Sequence, residues 1–210
     1  MSLLVHELAS AVDFAVQDCF FRGEAKNVGV WLIDSDAMAP RLLFYVGPKW
    51  LTIAAIVGLG LWLLSDRLRG RPVDRWVEAR WRLFLVLICV PAMVGLINRY
   101  SGVWCPKELI RYGGEHAYRL LLQGRADGPQ LGQCFTGGRA SAGFAWLGLS
   151  RLPASRWSSR LCLAEALVFG WTLGLYQMAR GAHFLSHTTT TMCLAGMIVE
   201  VVFAKPLERR

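Results

Sequence analysis

The sequence predicts an all-α protein: a polytopic membrane helical bundle of about five transmembrane helices plus an N-terminal amphipathic helix. Three observations carry that prediction. Of 210 residues, 54% are hydrophobic and the mean hydropathy is positive, which fits one membrane-type domain better than two soluble ones. Apolar runs of roughly the 20 residues needed to cross hydrocarbon recur along the chain. Short arginine-rich segments separate them and account for much of the net charge of +8. Arginines in such places set topology and meet anionic headgroups, so the expected partner is a lipid bilayer and not nucleic acid.

Two regions are expected, an extracytoplasmic or interfacial segment over 1–40 and a membrane domain over 41–210. The opening MSLLVHELASAVDFAVQD carries acids where a cleavable signal has a basic start and an apolar core. Leu4, Leu8, Val12 and Val16 recur at helical spacing, and Phe14 and Phe21 stand about two turns apart. An amphipathic helix at the interface follows, with a surface-packed helix as the bland alternative. Acids in 1–40, among them Asp13, Asp18 and Asp36, outnumber Arg22 and Lys26.

The first span is Leu42 to Leu64, with Pro48 and Lys49 placing its start in the interface or against the bundle. SDRLRGRPVDRWVEARWR follows, the most basic short loop, and belongs in the cytoplasm. The second span runs from about Leu83 to Asn98, with Pro91 tolerated inside it. Residues 99–138 leave the membrane. A third span begins near Arg139 and ends before RLPASRWSSR, a second cytoplasmic loop. The fourth covers about Leu161 to Ala179, and the fifth about Thr188 to Ala204, before the basic KPLERR. Every basic loop then falls on one side, with 99–138 and 181–187 on the other. The tryptophans near span ends, Trp50, Trp62, Trp81 and Trp104, are interface anchors.

Six cysteines are present. Cys89, Cys162 and Cys193 lie in spans as small packing residues. Cys105 and Cys134 both fall in the outer loop and can form a disulfide joining its ends, with Cys19 as the competitor.

Three stretches converge on the outer face: Asn98–Arg99 with Cys105–Pro106–Lys107, CFTGGRASAGF (134–144), and QMARGAHFLSH (177–187). Gly137 and Gly138 precede a helix beginning near Arg139, where free backbone N–H groups can cradle an anion beside a fixed positive charge. His183 and His187 are four apart and share a helical face. They can be a nucleophile and its proton partner, two metal ligands, or two interfacial imidazoles bonded to loop carbonyls. No glutamate follows the first histidine, and no third metal ligand is evident. Arg180 offers fork-shaped donors matched to phosphate oxygens.

The order of these stretches resembles the membrane branch of the type-2 phosphatidic-acid phosphatase superfamily, over about residues 42–204. RGAHFLSH, the CF-GG-ASAGF segment and CP with YGG carry the likeness. The resemblance implies a helical bundle that removes phosphate from a membrane lipid phosphate at the outer face through a phosphohistidine, with neither metal nor cofactor. It implies His183 as nucleophile, His187 as the group that orients and polarises it, and residue 139 as proton donor to the leaving group. It implies phosphate binding by the Gly137 and Gly138 amides, and the candidate set is completed by Arg180, Gln177, Arg99 and Lys107. The family's motifs are altered here. Asn98 and Cys105 stand where lysine and arginine are expected, with Arg99 and Lys107 one position away. Gln177 stands for an arginine, and His187 for an aspartate.

Arg139 stands where the family has a histidine, and arginine cannot donate a proton and recover it at neutral pH. His187 and His116 are the alternative proton sources. The expectation is a lipid phosphate phosphatase or phosphotransferase in a bacterial inner (plasma) membrane, with its site facing the periplasm or outside. A lipid-phosphate-binding protein without turnover is the second class, and a metal- or haem-binding protein the third.

Overall fold

The computed structural model describes residues 2–25, 28–34, 37–119 and 132–204. Among the sequence features discussed above, the side chains of Leu4 and Leu8, residues Lys26 and Asp36, the middle of the outer loop (120–131) and the KPLERR tail lie outside that set.

Among the described residues, four helices are long and apolar enough to cross a membrane: Met38–Leu68, Arg75–Tyr100, Arg156–Ala179 and Leu185–Phe203. The protein is therefore a membrane-embedded, all-α bundle. The first long helix is compound. A short α2 (Met38–Arg41) passes through a π turn (Leu42–Val46) into α3 (Gly47–Leu68), and this continuous helix runs across positions 40 and 41. Helix α4 (Arg75–Tyr100) begins where the Asp74 carboxylate accepts the N–H groups of Trp76 and Val77, both at 2.8 Å. Such a cap satisfies orphan donors of the first turn. Pro91 sits inside α4 without ending it. Helix α6 (Arg156–Ala179) is capped by Ser155, and α7 (Leu185–Phe203) closes the bundle. Large apolar side chains such as Leu61, Trp62, Leu96, Val168 and Val201 remain exposed on the outer faces, as lipid-facing helices require.

The expected third span is a pass of a different kind. It has five residues of α-helix (α5, Ala140–Phe144) and then seven of 3₁₀ helix (Ala145–Arg151). The larger 3₁₀ rise lets these residues travel about 20 Å. That distance brings Arg151 to Glu200, near the far end of α7, as an ion pair. The segment runs through the middle of the bundle, where Ala140, Phe144, Ala145 and Leu147 pack with Val86, Leu87, Val90, Ala166, Ala195 and Val199. A Cβ on Gly143 would stand 2.5 Å from the Gly170 Cα, so α5 and α6 touch backbone to backbone.

Two unlike ends result. The basic connections gather at one: Asp66 pairs with Arg71 and Arg80 at 3.2 and 3.0 Å, and Arg82 donates to the Phe203 carbonyl at 2.9 Å. At the other end sit α1 (Ser2–Asp18), an antiparallel hairpin of β1 (Phe21–Ala25) and β2 (Val28–Trp31), and the loop after α4. An aromatic cluster of Phe14, Phe21, Trp31, Tyr112, Tyr118 and Phe184 ties them together.

Helix α1 differs from its expected amphipathic face. Val12 is 44% exposed, while the polar Asp13 and Gln17 are buried, because both reach hydrogen-bonding partners beneath. Gln17 donates to the Met178 carbonyl at 2.9 Å. Phe21 is not on the helix at all, since the chain turns after Asp18 and enters β1. The hairpin was not anticipated; the β-branched VGVW is the strand pattern that could have marked it.

Candidate functional site

Opposite the basic end, three loops meet. The first leaves α6 through a left-handed turn at Gly181, whose φ is +69°. Gly181 N–H donates to the Met178 carbonyl and Ala182 N–H to the Gln177 carbonyl, at 2.9 and 2.8 Å, the pairing of a Schellman C-cap. Only glycine fits, because a Cβ there would lie 2.3 Å from the Trp31 ring. This turn delivers Arg180 and His183 side by side, and α7 starts two residues later. The Asp13 carboxylate accepts Ser186 N–H at 2.8 Å and the Ser186 hydroxyl at 2.5 Å, so α1 caps the helix that carries His187. Burial pushes the Asp13 carboxyl up, against the pull of those hydrogen bonds.

The second loop is the GG stretch. Gly137 N–H is directed inward, to the Thr191 hydroxyl at 2.9 Å and the His187 carbonyl at 3.2 Å. The anion-cradle expectation is thus corrected at Gly137, whose amide is consumed in holding the loop to α7. Gly138 lines the cavity described below.

The third loop follows α4. Asn98 Nδ2 donates to the Thr136 carbonyl at 3.0 Å. Cys105 and Cys134 form the expected disulfide, with Cα atoms 5.1 Å apart. Lys107 N–H donates to the Gly181 carbonyl at 2.9 Å, which joins this loop to the first.

Between the loops lies an open cavity of about 430 Å³. Its lining includes Tyr45, Asn98, Lys107, Gly138, Arg139, Gln177, Arg180 and His183. Two buried donors among these, Arg180 Nε and Gln177 Nε2, have no hydrogen-bond partner among the described residues. His183 Nδ1 stands 3.5 Å from His187 Nδ1 and 3.5 Å from Cys134 Sγ. His187 is buried behind it, with the rings of Phe135 and Phe184 edge-on to its own at 5.2 and 5.5 Å. Burial pushes His183 down to about 4. The charges of Arg139, Arg180 and Lys107 push the same way, opposed by a bond to the Cys134 backbone. An uncharged imidazole facing three fixed cations can meet a phosphate dianion and attack its phosphorus.

Of the expected site residues, His183, Arg139, Arg180, Gln177, Lys107 and Gly138 share this cavity, and His187 backs it. Arg99 does not. Helix α4 continues to Tyr100, so consecutive residues point about 100° apart; Asn98 faces inward and Arg99 is exposed outside the lining. His116 is also elsewhere, stacked on Trp104 with ring centroids 3.5 Å apart. Tyr45 was not anticipated. It reaches the cavity from the π turn, its hydroxyl accepts a hydrogen bond from Arg139, and the Arg139 guanidinium lies 3.7 Å from its ring centre.

Cys134, His183 and His187 place potential metal-ligand atoms within 4.8 Å of one another, a third partner that spacing alone did not reveal. While the disulfide is formed, however, Cys134 has no thiolate to offer, and thiolate is the form that binds metal.

The fold and site together define a polytopic membrane bundle with a histidine, two arginines and a lysine lining a cavity at one end. The chain belongs to the PAP2 superfamily, whose family model matches residues 79–210. Members are typically phosphatases, which makes hydrolysis of phosphate esters the kind of reaction to expect. No curated protein and no solved structure matches the chain.

Proposed function

We propose that the protein removes phosphate from a membrane lipid phosphate at the extracytoplasmic face of a bacterial inner membrane, by hydrolysis or by transfer to an acceptor. The observation that carries this is His183, held uncharged beside Arg139, Arg180 and Lys107 with a second imidazole directly behind it. With Nδ1 turned to His187, Nε2 is the nitrogen left to attack phosphorus. The P–N bond forms as the ester P–O bond breaks, and His183 becomes a phosphorylated cation whose Nδ1–H points at His187 Nδ1. Arg180, Lys107, Arg139 and the Gln177 amide hold the phosphoryl oxygens, which supplies acceptors for the two unpartnered donors. Water or another acceptor then takes the phosphoryl group and returns the imidazole. The donors are all side chains of this chain, and the scheme calls for no metal or cofactor.

A specific observation favours a second reading, binding of a lipid phosphate without turnover. A guanidinium occupies position 139, and losing a general acid typically costs 10²–10⁴-fold. The test is phosphate release from a panel of lipid monophosphates and diphosphates by purified protein, with His183→Ala as the blank. A stable phosphohistidine mapped to His183 is expected during turnover. Tight lipid-phosphate binding with no release above the blank would instead establish the binding protein.

A further inference from the structure

The cation-lined cavity has an apolar neighbour of about 270 Å³, lined by residues including Phe44, Pro48, Ile53, Ile56, Pro91 and Ala142. Three residues line both cavities and form the boundary between them: Tyr45, Gly138 and Arg139. In a lipid phosphate, the oxygen linking phosphoryl group and tail is the atom at the polar–apolar boundary. It is also the atom that needs a proton when the ester bond breaks. Of the three boundary residues, glycine has no side chain and arginine keeps its proton at any working pH. Only Tyr45 carries one it can transfer.

We propose that Tyr45 is the general acid of this site, protonating the leaving oxygen in the place where Arg139 cannot. The inference rests on the phosphohistidine reading above. Arg139 then acts as the group that holds the Tyr45 hydroxyl, by donating to its oxygen, and that stabilises the phenolate once the proton has gone. Its guanidinium stacked on the ring at 3.7 Å, with that of Arg180 at 5.4 Å, supplies positive charge for this. Three other candidates are turned away or occupied. His116 is stacked on Trp104, the Glu108 carboxylate accepts Cys105 N–H at 2.9 Å, and the Ser141 hydroxyl donates to the Gly138 carbonyl at 2.6 Å. Tyr45 sits on the π turn of the first long helix, and π turns recur at functional sites. It also precedes the residues that match the family model.

The steps balance. His183 Nε2 bonds to phosphorus, the P–O bond to the tail breaks, and the Tyr45 proton moves to that oxygen, releasing an alcohol. In the second half, water attacks phosphorus, the P–N bond breaks with its electrons returning to Nε2, and the tyrosinate takes a proton from the water.

The test is rapid-quench measurement of phosphoenzyme formation by the full-length protein in detergent micelles, across phosphate monoesters from decyl through phenyl to 4-nitrophenyl. Nitrophenolate leaves without help, whereas an alkoxide does not. Tyr45→Phe keeps the ring under Arg139 and is expected to slow labelling from decyl phosphate by about 10²–10⁴-fold. Labelling from 4-nitrophenyl phosphate is expected to stay within about threefold of the parent, so that rate depends more steeply on the leaving group. An equal loss across the series, or no loss on decyl phosphate, overturns the assignment. If the parent protein itself forms no phosphohistidine from any of these esters, it is the underlying reading that fails, a result distinct from either.

Discussion

At the scale of single residues, the cavity holds one imidazole uncharged among cations. An ordinary histidine is protonated below about 6.5, whereas His183 holds off its proton to about 4 through burial and three positive neighbours. The sign follows directly. Between those two values an unfolded chain binds a proton that the folded protein does not, so acidification through this window costs stability. Above it the proposed nucleophile is fully available. In protein labelled with ¹⁵N-histidine, the His183 ring nitrogens are expected to keep the shifts of a neutral ring until the pH approaches 4. A midpoint at 6 or above would remove the electrostatic basis of the site. His183, Arg180 and the order of the three loops were legible in the sequence, because charged and titratable residues beside apolar spans have few structural uses. Tyr45 was not, since an aromatic residue at the start of a span is first an interface anchor. Its approach to the cavity depends on a π turn that shifts the helical register. Arg99 was misplaced for a similar reason: a one-residue offset on a helix is a different face.

At the scale of elements, the site is a set of loops pinned to helix ends, and each pin is local chemistry. The Schellman turn at Gly181, the Asp13 cap on α7 and the Cys105–Cys134 bond hold the three loops together. The cysteine pair was legible from its place in one outer loop. The Asp13 cap was not, because an acid on a surface helix carries no mark of the backbone N–H it will meet 173 residues away. The disulfide closes a 29-residue separation, which by chain entropy is worth about 3–4 kcal/mol. For a chain of this size that amounts to roughly 10 °C in Tm. Replacing both cysteines with serine is therefore expected to lower the thermal midpoint in detergent by about that much, and to reduce activity as Lys107 loses its fixed position. An unchanged midpoint would mean that the hydrogen bonds alone fix the loop.

At the scale of the whole molecule, the two ends of the bundle set the direction in which the site faces. Five passes were expected; among the described residues four are long apolar helices, and the remaining segment is a short α-helix continued by a 3₁₀ helix. The segment 140–151 is enclosed by the others and needs no lipid-facing length; its glycines and alanines make that close packing possible, which hydropathy does not distinguish from a short span. Arg67, Arg69, Arg71 and Arg75 lie in or beside the turn joining α3 to α4, and Arg151 and Arg156 flank the turn before α6. Both turns sit at the end away from His183. Short loops rich in arginine stay on the cytoplasmic side, so the cavity should open outward. Cys19 is exposed beside α1 at the site end and is a native reporter of that face. In intact spheroplasts, a membrane-impermeant maleimide is expected to label Cys19. An added cysteine at Arg71→Cys, in a background lacking the other free thiols, should react only after lysis. The reverse pattern would put the site in the cytoplasm, and the lipid phosphate would then have to come from the inner leaflet.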